Sequence, residues 1–201
     1  MTKIKLCGLS RREDIEAANA LQPEFIGFVF AKSSRRYVAP AQAQALKNAL
    51  SPGIRTVGVF VDEDPATVAA LLGGGIIDLA QLHGGEDAAY IRALRRMTDR
   101  PIWQAFRVRT RADIERANAS EADLVLLDAG AGTGTAFDWG LPAHIKRPYF
   151  LAGGLDAENV AGAIRLLRPC GVDVSSGIET GGIKDPKKMA AFVAAVRREN
   201  V

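Results

Sequence analysis

The chain has 201 residues, of which 48% are hydrophobic and 24% charged, and its formal net charge is +3. This length and composition are typical of a soluble globular protein, so we expect a single domain over residues 1–201. The basic residues are scattered, which argues against a nucleic-acid surface. No apolar run is long enough to cross a bilayer, which argues against a membrane partner.

The two cysteines, Cys7 and Cys170, lie far apart and lack the spacing of a metal site or of a disulfide framework. The first residues lead directly into an apolar strand and show no signal-peptide pattern. We therefore expect a protein of the reducing cytoplasm, with no zinc and no structural disulfide.

Eight short apolar runs indicate strands, and most of them are continuous enough to be parallel strands covered on both faces. In chain order they are Ile4–Cys7, Phe25–Phe30, Thr56–Val61, Leu79–Leu82, Ile102–Phe106, Leu124–Asp128, Tyr149–Ala152 and Val172–Ser175.

Helix starts are predicted between these strands. Ser10 with Glu13 has the pattern of a capping box, and Asp64 and Asp185 each precede a proline at a first helical position. Apolar spacing predicts a further helix over Ala157–Leu167. The alternation of strand and capped helix predicts a parallel α/β protein.

The number of strands and the length of the chain favour a closed (β/α)8 barrel, the TIM barrel, over an open doubly wound sheet. The first strand ends in Cys7-Gly8-Leu9, without the Gly-x-Gly-x-x-Gly pattern of a dinucleotide-binding fold.

Two turns of small residues follow the last two predicted strands. Gly153 and Gly154 follow the seventh strand, and Ser176 and Gly177 follow the eighth. Small residues let backbone N–H groups approach an anion, and a helix beginning at such a turn adds a favourable dipole. Because (β/α)8 barrels bind phosphate at this place, the pair of turns predicts a small phosphorylated substrate.

Other candidate residues follow the C-terminal ends of strands, which all face one site in a barrel. Cys7 is either a general base or a small buried hydrophobe, and Asp128 is either an acid with a pKa raised by burial or a turn residue. Arg36 either pairs with a ligand carboxylate or forms a solvated surface pair with Arg35. His83 either contacts the ligand or braces its own loop. Cys170 precedes the eighth strand, so we expect it at the opposite end of the barrel in a structural role.

Several motifs, taken together and in order, resemble the phosphoribosylanthranilate isomerases of tryptophan biosynthesis from residue 3 to about residue 190. The motifs are Lys5-Leu6-Cys7-Gly8-Leu9, Gly27-Phe28-Val29-Phe30, Ser34-Arg35-Arg36-Tyr37, Val57-Gly58-Val59-Phe60, Gln81-Leu82-His83-Gly84, Leu127-Asp128, Gly132-Thr133-Gly134, Phe137-Asp138-Trp139, Ala152-Gly153-Gly154-Leu155 and Asp173-Val174-Ser175-Ser176-Gly177.

The resemblance implies a (β/α)8 barrel that performs an Amadori rearrangement of N-(5-phosphoribosyl)anthranilate, with no metal and no organic cofactor. It implies that Cys7 is the general base, that Asp128 is the general acid, and that Arg36 holds the anthranilate carboxylate. We also expect His83 to contact the substrate, and the resemblance implies that the two small-residue turns form the phosphate site. The expected assembly is a monomer or a homodimer.

The segment after the sixth strand departs from the family pattern. Many members carry Gly-Gly-Thr-Gly-Lys-Thr-Phe-Asp-Trp where this chain has Ala131-Gly132-Thr133-Gly134-Thr135-Ala136-Phe137-Asp138-Trp139, so the lysine is absent. We expect the departure to affect substrate affinity more than the chemistry.

Four other functions compete with this one. An indole-glycerol-phosphate synthase needs a lysine-rich active face, for which Lys5 and Lys32 are poor candidates, and a metal-dependent epimerase needs several histidine ligands. A histidine-pathway isomerase is expected to show a clearer two-half repeat. A phosphate-binding protein without turnover is the alternative from another class, and the presence of both Cys7 and Asp128 argues against it.

Overall fold

A computed structural model describes residues 1–128 and 140–199. Eight parallel strands, hydrogen-bonded in chain order, close into a barrel because the first strand also pairs with the eighth. The strands are β1 (Lys3–Cys7), β2 (Phe25–Val29), β3 (Arg55–Phe60), β4 (Leu79–Leu82), β5 (Ile102–Arg107), β6 (Leu124–Asp128), β7 (Tyr149–Ala152) and β8 (Gly171–Val174). The predicted (β/α)8 barrel is confirmed, and each predicted strand is present with its ends within one residue of the expected position.

Helices cover the outside of the barrel. They are α1 (Arg12–Leu21), α2 (Pro40–Asn48), α3 (Pro65–Gly73), α4 (Ala88–Arg95), α5 (Arg111–Ala119), α6 (Val160–Leu167) and α7 (Pro186–Arg198). The described part of the connection between β6 and β7 contains a 3-10 helix, Leu141–His144. Within residues 1–128 and 140–199, no helix combines the length and the apolar character needed to cross a membrane.

The two predicted Asp-Pro helix starts are confirmed, because Asp64 and Asp185 accept hydrogen bonds from backbone N–H groups in the first turns of α3 and α7. The predicted capping box of Ser10 with Glu13 is wrong. The carboxylate of Asp14 instead accepts the backbone N–H groups of Ser10 and Arg11, so α1 begins one residue later.

The interior of the barrel is filled in layers. Phe25, Trp103 and Phe150 form an aromatic cluster with ring centroids 4.8–5.8 Å apart, which closes the N-terminal half of the barrel. Gly171 on β8 makes room for this cluster, because a Cβ there would lie 2.2 Å from the ring of Phe150. Above it, Cys7 packs with valines of β2 and β3 at the C-terminal end.

A short hairpin follows β8 before the last helix begins. After a 3-10 turn at Ser176–Ile178, strand β9 (Glu179–Thr180) pairs antiparallel with β10 (Ile183–Lys184). The loop between them is Gly181-Gly182, and φ values of 59° and 83° suit the two positive-φ positions of a tight hairpin turn. The pairing places Glu179 directly opposite Lys184.

Candidate active site

The C-terminal ends of the strands surround a cavity of about 300 Å³. Cys7 on β1 and Asp128 on β6 both line it, so a thiol and a carboxyl from separate parts of the barrel face one space. The other predicted site residues that line it are Arg36, His83, Gly153, Gly154 and Ser176. Cys170 lies at the opposite end, where its backbone oxygen accepts from the N–H group of Lys3 at the start of β1.

Cys7 lies beside a buried ion pair. Lys5 is two residues earlier on the same face of β1, is fully buried, and places Nζ 2.9 Å from Oδ1 of Asp173 on β8. The absence of a side chain at Gly27 makes room for both groups, because a Cβ there would lie 2.7 Å from the Sγ of Cys7 and 3.2 Å from the Nζ of Lys5. The thiol and the ammonium group therefore pack against the same point of β2.

Burial raises the pKa of the Cys7 thiol, and the positive charge of Lys5 opposes that rise. Burial also disfavours the charge on Lys5, but Asp173 and Cys7 outweigh it and raise the pKa of this lysine above its ordinary value. The positive charge of Lys5 therefore favours the thiolate form of Cys7.

Asp128 is linked to a second polar group in the cavity. His83 Nε2 lies 3.5 Å from Oδ2 of Asp128, and Nδ1 of the same ring lies 3.1 Å from Nε2 of Gln81. The side chain of Asp128 is 19% exposed, so it is only partly desolvated and remains accessible to a ligand. The Oε1 atom of Gln81 is buried without a hydrogen-bond partner in the described part of the chain. A ligand in this cavity could supply that partner.

The two small-residue turns lie against each other. Gly153 and Gly154 have φ values of 91° and 63°, a conformation that other residues rarely adopt. Gly177 is not among the described residues that line the cavity. It lets the two turns pack closely, because a Cβ at this position would lie 2.0 Å from the carbonyl oxygen of Leu155.

The helices predicted to start at these turns are displaced along the chain. The predicted helix over Ala157–Leu167 is shorter and begins at Val160, because Asp156 uses its carboxylate to close a turn with the N–H groups of Glu158 and Asn159. After β8 the hairpin intervenes. The cavity is therefore lined by residues of the two turns and not by the first residues of α6 or α7. The turn residues that line it include Gly153, Gly154, Ser175 and Ser176.

Arg36 is not part of a solvated pair with Arg35, which was one of the alternatives. Its side chain is 23% exposed, and its guanidinium makes a two-point contact with the carboxylate of Glu179. It still lines the cavity, as the binding alternative requires.

Sequence reasoning missed four charged residues of the site, Lys5, Asp173, Glu179 and Lys184. The first two carry a signal, because a charged residue within an apolar strand needs a buried partner, and Lys5 is in register with Asp173. Glu179 carries no such signal, since 143 residues separate it from Arg36.

Segment 129–139, which contains the departure from the family pattern, lies outside the described residues. Among the residues that are described, no group of three or more histidine, cysteine, aspartate or glutamate side chains could hold a metal ion.

The sequence model of the family described as "N-(5'phosphoribosyl)anthranilate (PRA) isomerase" matches residues 4–195. The chain belongs to this family. It is 44% identical over 204 residues to the N-(5'-phosphoribosyl)anthranilate isomerase of Caldanaerobacter subterraneus subsp. tengcongensis, with 98% of each chain covered.

Solved structures of this family share the fold. A crystal structure of monomers generated from the dimeric phosphoribosylanthranilate isomerase of Thermotoga maritima is 33% identical, with a TM-score of 0.86 and coverage of 98% of this chain and 100% of that one. A phosphoribosyl anthranilate isomerase in complex with reduced 1-(o-carboxyphenylamino)-1-deoxyribulose 5-phosphate is also 33% identical, with the same coverage and a TM-score of 0.87.

Proposed function

We propose that this chain converts N-(5-phosphoribosyl)anthranilate to 1-(2-carboxyphenylamino)-1-deoxyribulose 5-phosphate, an isomerisation of tryptophan biosynthesis. The observation that carries the proposal is that Cys7 and Asp128 face one cavity bordered by the turns after β7 and β8. Membership of the isomerase family supports it. The reaction requires one acid and one base, and the cavity offers one of each.

Asp128 is the proposed general acid. It protonates the ring oxygen of the ribose, the C1–O bond breaks, and the nitrogen lone pair forms a Schiff base with C1. Its partial exposure keeps the carboxyl within reach of the substrate. His83, 3.5 Å away, is positioned to orient the carboxyl and to contact the substrate.

Cys7 is the proposed general base. As a thiolate it removes the proton from C2, and the electron pair moves toward the Schiff base to give an enolamine, which tautomerises to the ketone. The Lys5 ammonium opposes the effect of burial on the pKa of Cys7 and so favours the thiolate that this step needs. No atom is lost or gained in the sequence of steps, as an isomerisation requires.

Two other groups of the site are proposed to hold the ends of the substrate. The guanidinium of Arg36 binds the anthranilate carboxylate, for which its planar set of donors is suited. The phosphate is bound by backbone N–H groups at Gly153, Gly154 and Ser176. Gly177 supports this site by letting the two turns pack closely.

We further propose that residues 1–201 act as one domain, and that the chain works as a monomer or a homodimer. The need for a reduced thiol at Cys7 favours the cytoplasm as the location.

The roles of acid and base are tested with Cys7→Ala and Asp128→Asn, and with Cys170→Ala as the matched thiol control. Each of the first two variants is expected to lose about 100- to 10,000-fold in kcat while its circular dichroism spectrum stays that of the parent protein. Cys170→Ala is expected to keep the parent kcat, because that thiol lies at the other end of the barrel. A folded Cys7→Ala or Asp128→Asn variant with near-parent kcat would remove that residue from its role.

A further inference from the structure

The carboxylate of Glu179, at the start of the hairpin after β8, accepts hydrogen bonds from three cationic side chains. Glu179 is 7% exposed. Its Oε1 accepts from Nε of Arg36 and Nζ of Lys184, each at 2.6 Å, and its Oε2 accepts from Nη2 of Arg36 at 2.9 Å and Nη2 of Arg35 at 2.6 Å. The acid and base steps make no use of this carboxylate, although it contacts a residue that lines the cavity.

The contact fixes the orientation of Arg36. A two-point contact through Nε and Nη2 sets the plane of the guanidinium, and it uses two of the five N–H donors of that group. The aliphatic part of the side chain packs against the backbone at Gly8, directly after β1, because a Cβ at Gly8 would lie 2.5 Å from Cδ of Arg36. Since this contact does not use the N–H groups of Nη1, and no other described residue bonds to them, they can receive a ligand.

The same carboxylate connects Arg36 with the turn after β8. Lys184 is 5% exposed and, besides its contact with Glu179, donates to the backbone oxygen of Ser175 at 2.9 Å and to its Oγ at 3.2 Å. Ser175 precedes Ser176 of the proposed phosphate turn. One negative charge therefore holds several positive ones, and the cluster keeps an excess of positive charge suited to an anionic ligand.

We infer that Glu179 is a positioning residue, which holds the guanidinium of Arg36 so that its remaining N–H groups receive the anthranilate carboxylate. The inference rests on the proposed function, because it assigns the ligand of Arg36 from the proposed substrate. Glu179 itself does not touch the substrate. Its removal should therefore weaken the recognition of the carboxylate more than the recognition of the rest of the ligand.

The experiment compares two probes by calorimetric titration. The first is reduced 1-(o-carboxyphenylamino)-1-deoxyribulose 5-phosphate, and the second is the same molecule without the carboxyl group. The proteins are the parent, Glu179→Gln, Glu179→Asp and, as a matched control on an exposed glutamate, Glu16→Gln. The measured quantity is the ratio of the two dissociation constants for each protein.

The parent and Glu16→Gln should prefer the carboxylated probe. In Glu179→Gln that preference, measured as the ratio of the two dissociation constants, should be about tenfold smaller. Glu179→Asp keeps the charge and should restore part of the preference. In an Arg36→Met background, Glu179→Gln should cause no further loss.

One other outcome would contradict the positioning role of Glu179, and another would contradict the proposed function. If Glu179→Gln and Glu179→Asp keep the parent preference, or weaken both probes equally, Glu179 does not position Arg36, and the proposed function is unaffected. If the parent binds neither probe, the proposed function itself fails. Should Glu179→Gln not fold, Glu179→Asp alone decides. Its side chain is one methylene shorter, so its carboxylate cannot reach both nitrogens of Arg36 at the parent distances, and only part of the parent preference should remain.

Discussion

Acid should remove part of the stability that Glu179 contributes to the fold. Although burial opposes it, hydrogen bonds from Arg36 and Lys184 lower the pKa of Glu179 from 4.5 to about 2. A carboxyl whose pKa is lower in the folded than in the unfolded state stabilises the fold when it is ionised. This contribution is complete above the unfolded pKa and is lost as the pH falls through the folded pKa.

The magnitude follows from the two pKa values of Glu179. A difference of about 2.5 pKa units corresponds to about 3 kcal/mol at neutral pH. At pH 3.5 the unfolded carboxyl is mostly protonated and the folded one still ionised, so about 2 kcal/mol remains. The free energy of unfolding should therefore fall by about 1 kcal/mol between pH 7 and pH 3.5 on account of this one group.

Urea unfolding at pH 7 and pH 3.5 measures this change, with the parent compared against Glu179→Gln. Subtracting the variant removes the contributions of all other carboxyl groups. The stability gap should be about 3 kcal/mol at pH 7 and should narrow by about 1 kcal/mol at pH 3.5. Glu16→Gln, which breaks an exposed ion pair with Arg12, should change stability by less than about 0.5 kcal/mol at either pH. A gap that stays constant or widens in acid would mean that the ionised carboxylate of Glu179 does not stabilise the fold.

Two further predictions concern the base and the phosphate turns. In a Cys170→Ser background, Lys5→Met should move the midpoint of the alkylation rate of Cys7 to higher pH, because the variant loses the charge that favours the thiolate. An unchanged midpoint, or one at lower pH, would contradict the role of Lys5. Gly177→Ala should lower the free energy of unfolding by about 2 kcal/mol in urea, because the new Cβ meets the carbonyl oxygen of Leu155. A parent-like unfolding midpoint would mean that the turns are loosely packed.

Much of the fold could be predicted because its signals are local. Each buried strand is a short apolar run, and the Asp-Pro pairs at 64–65 and 185–186 mark helix starts with side chains that cap the next turn. The sequence pattern places the start of α1 one residue too early, because Glu13 and Asp14 are adjacent and either carboxylate could complete the capping box. Sequence spacing alone does not distinguish two neighbouring carboxylates.

The candidate site was predictable where strand ends converge. Cys7, Asp128 and the glycine turns end strands, so barrel closure alone brings them to one cavity. The contact of Arg36 with Glu179 was not predictable, because it depends on the position of the short hairpin after β8, which is distant from Arg36 in sequence. No periodicity within the sequence encodes such a long-range contact.

The proposed reaction is the isomerisation of N-(5-phosphoribosyl)anthranilate by this chain, with Cys7 as base. The most direct test follows the fluorescence loss of freshly generated substrate and identifies the product by mass and chromatography, with Cys7→Ala as the control. The parent protein should convert the substrate to an aminoketose of identical mass, with a kcat at least about 100-fold above that of the folded variant. A folded parent protein that leaves the substrate unchanged would contradict the proposed reaction.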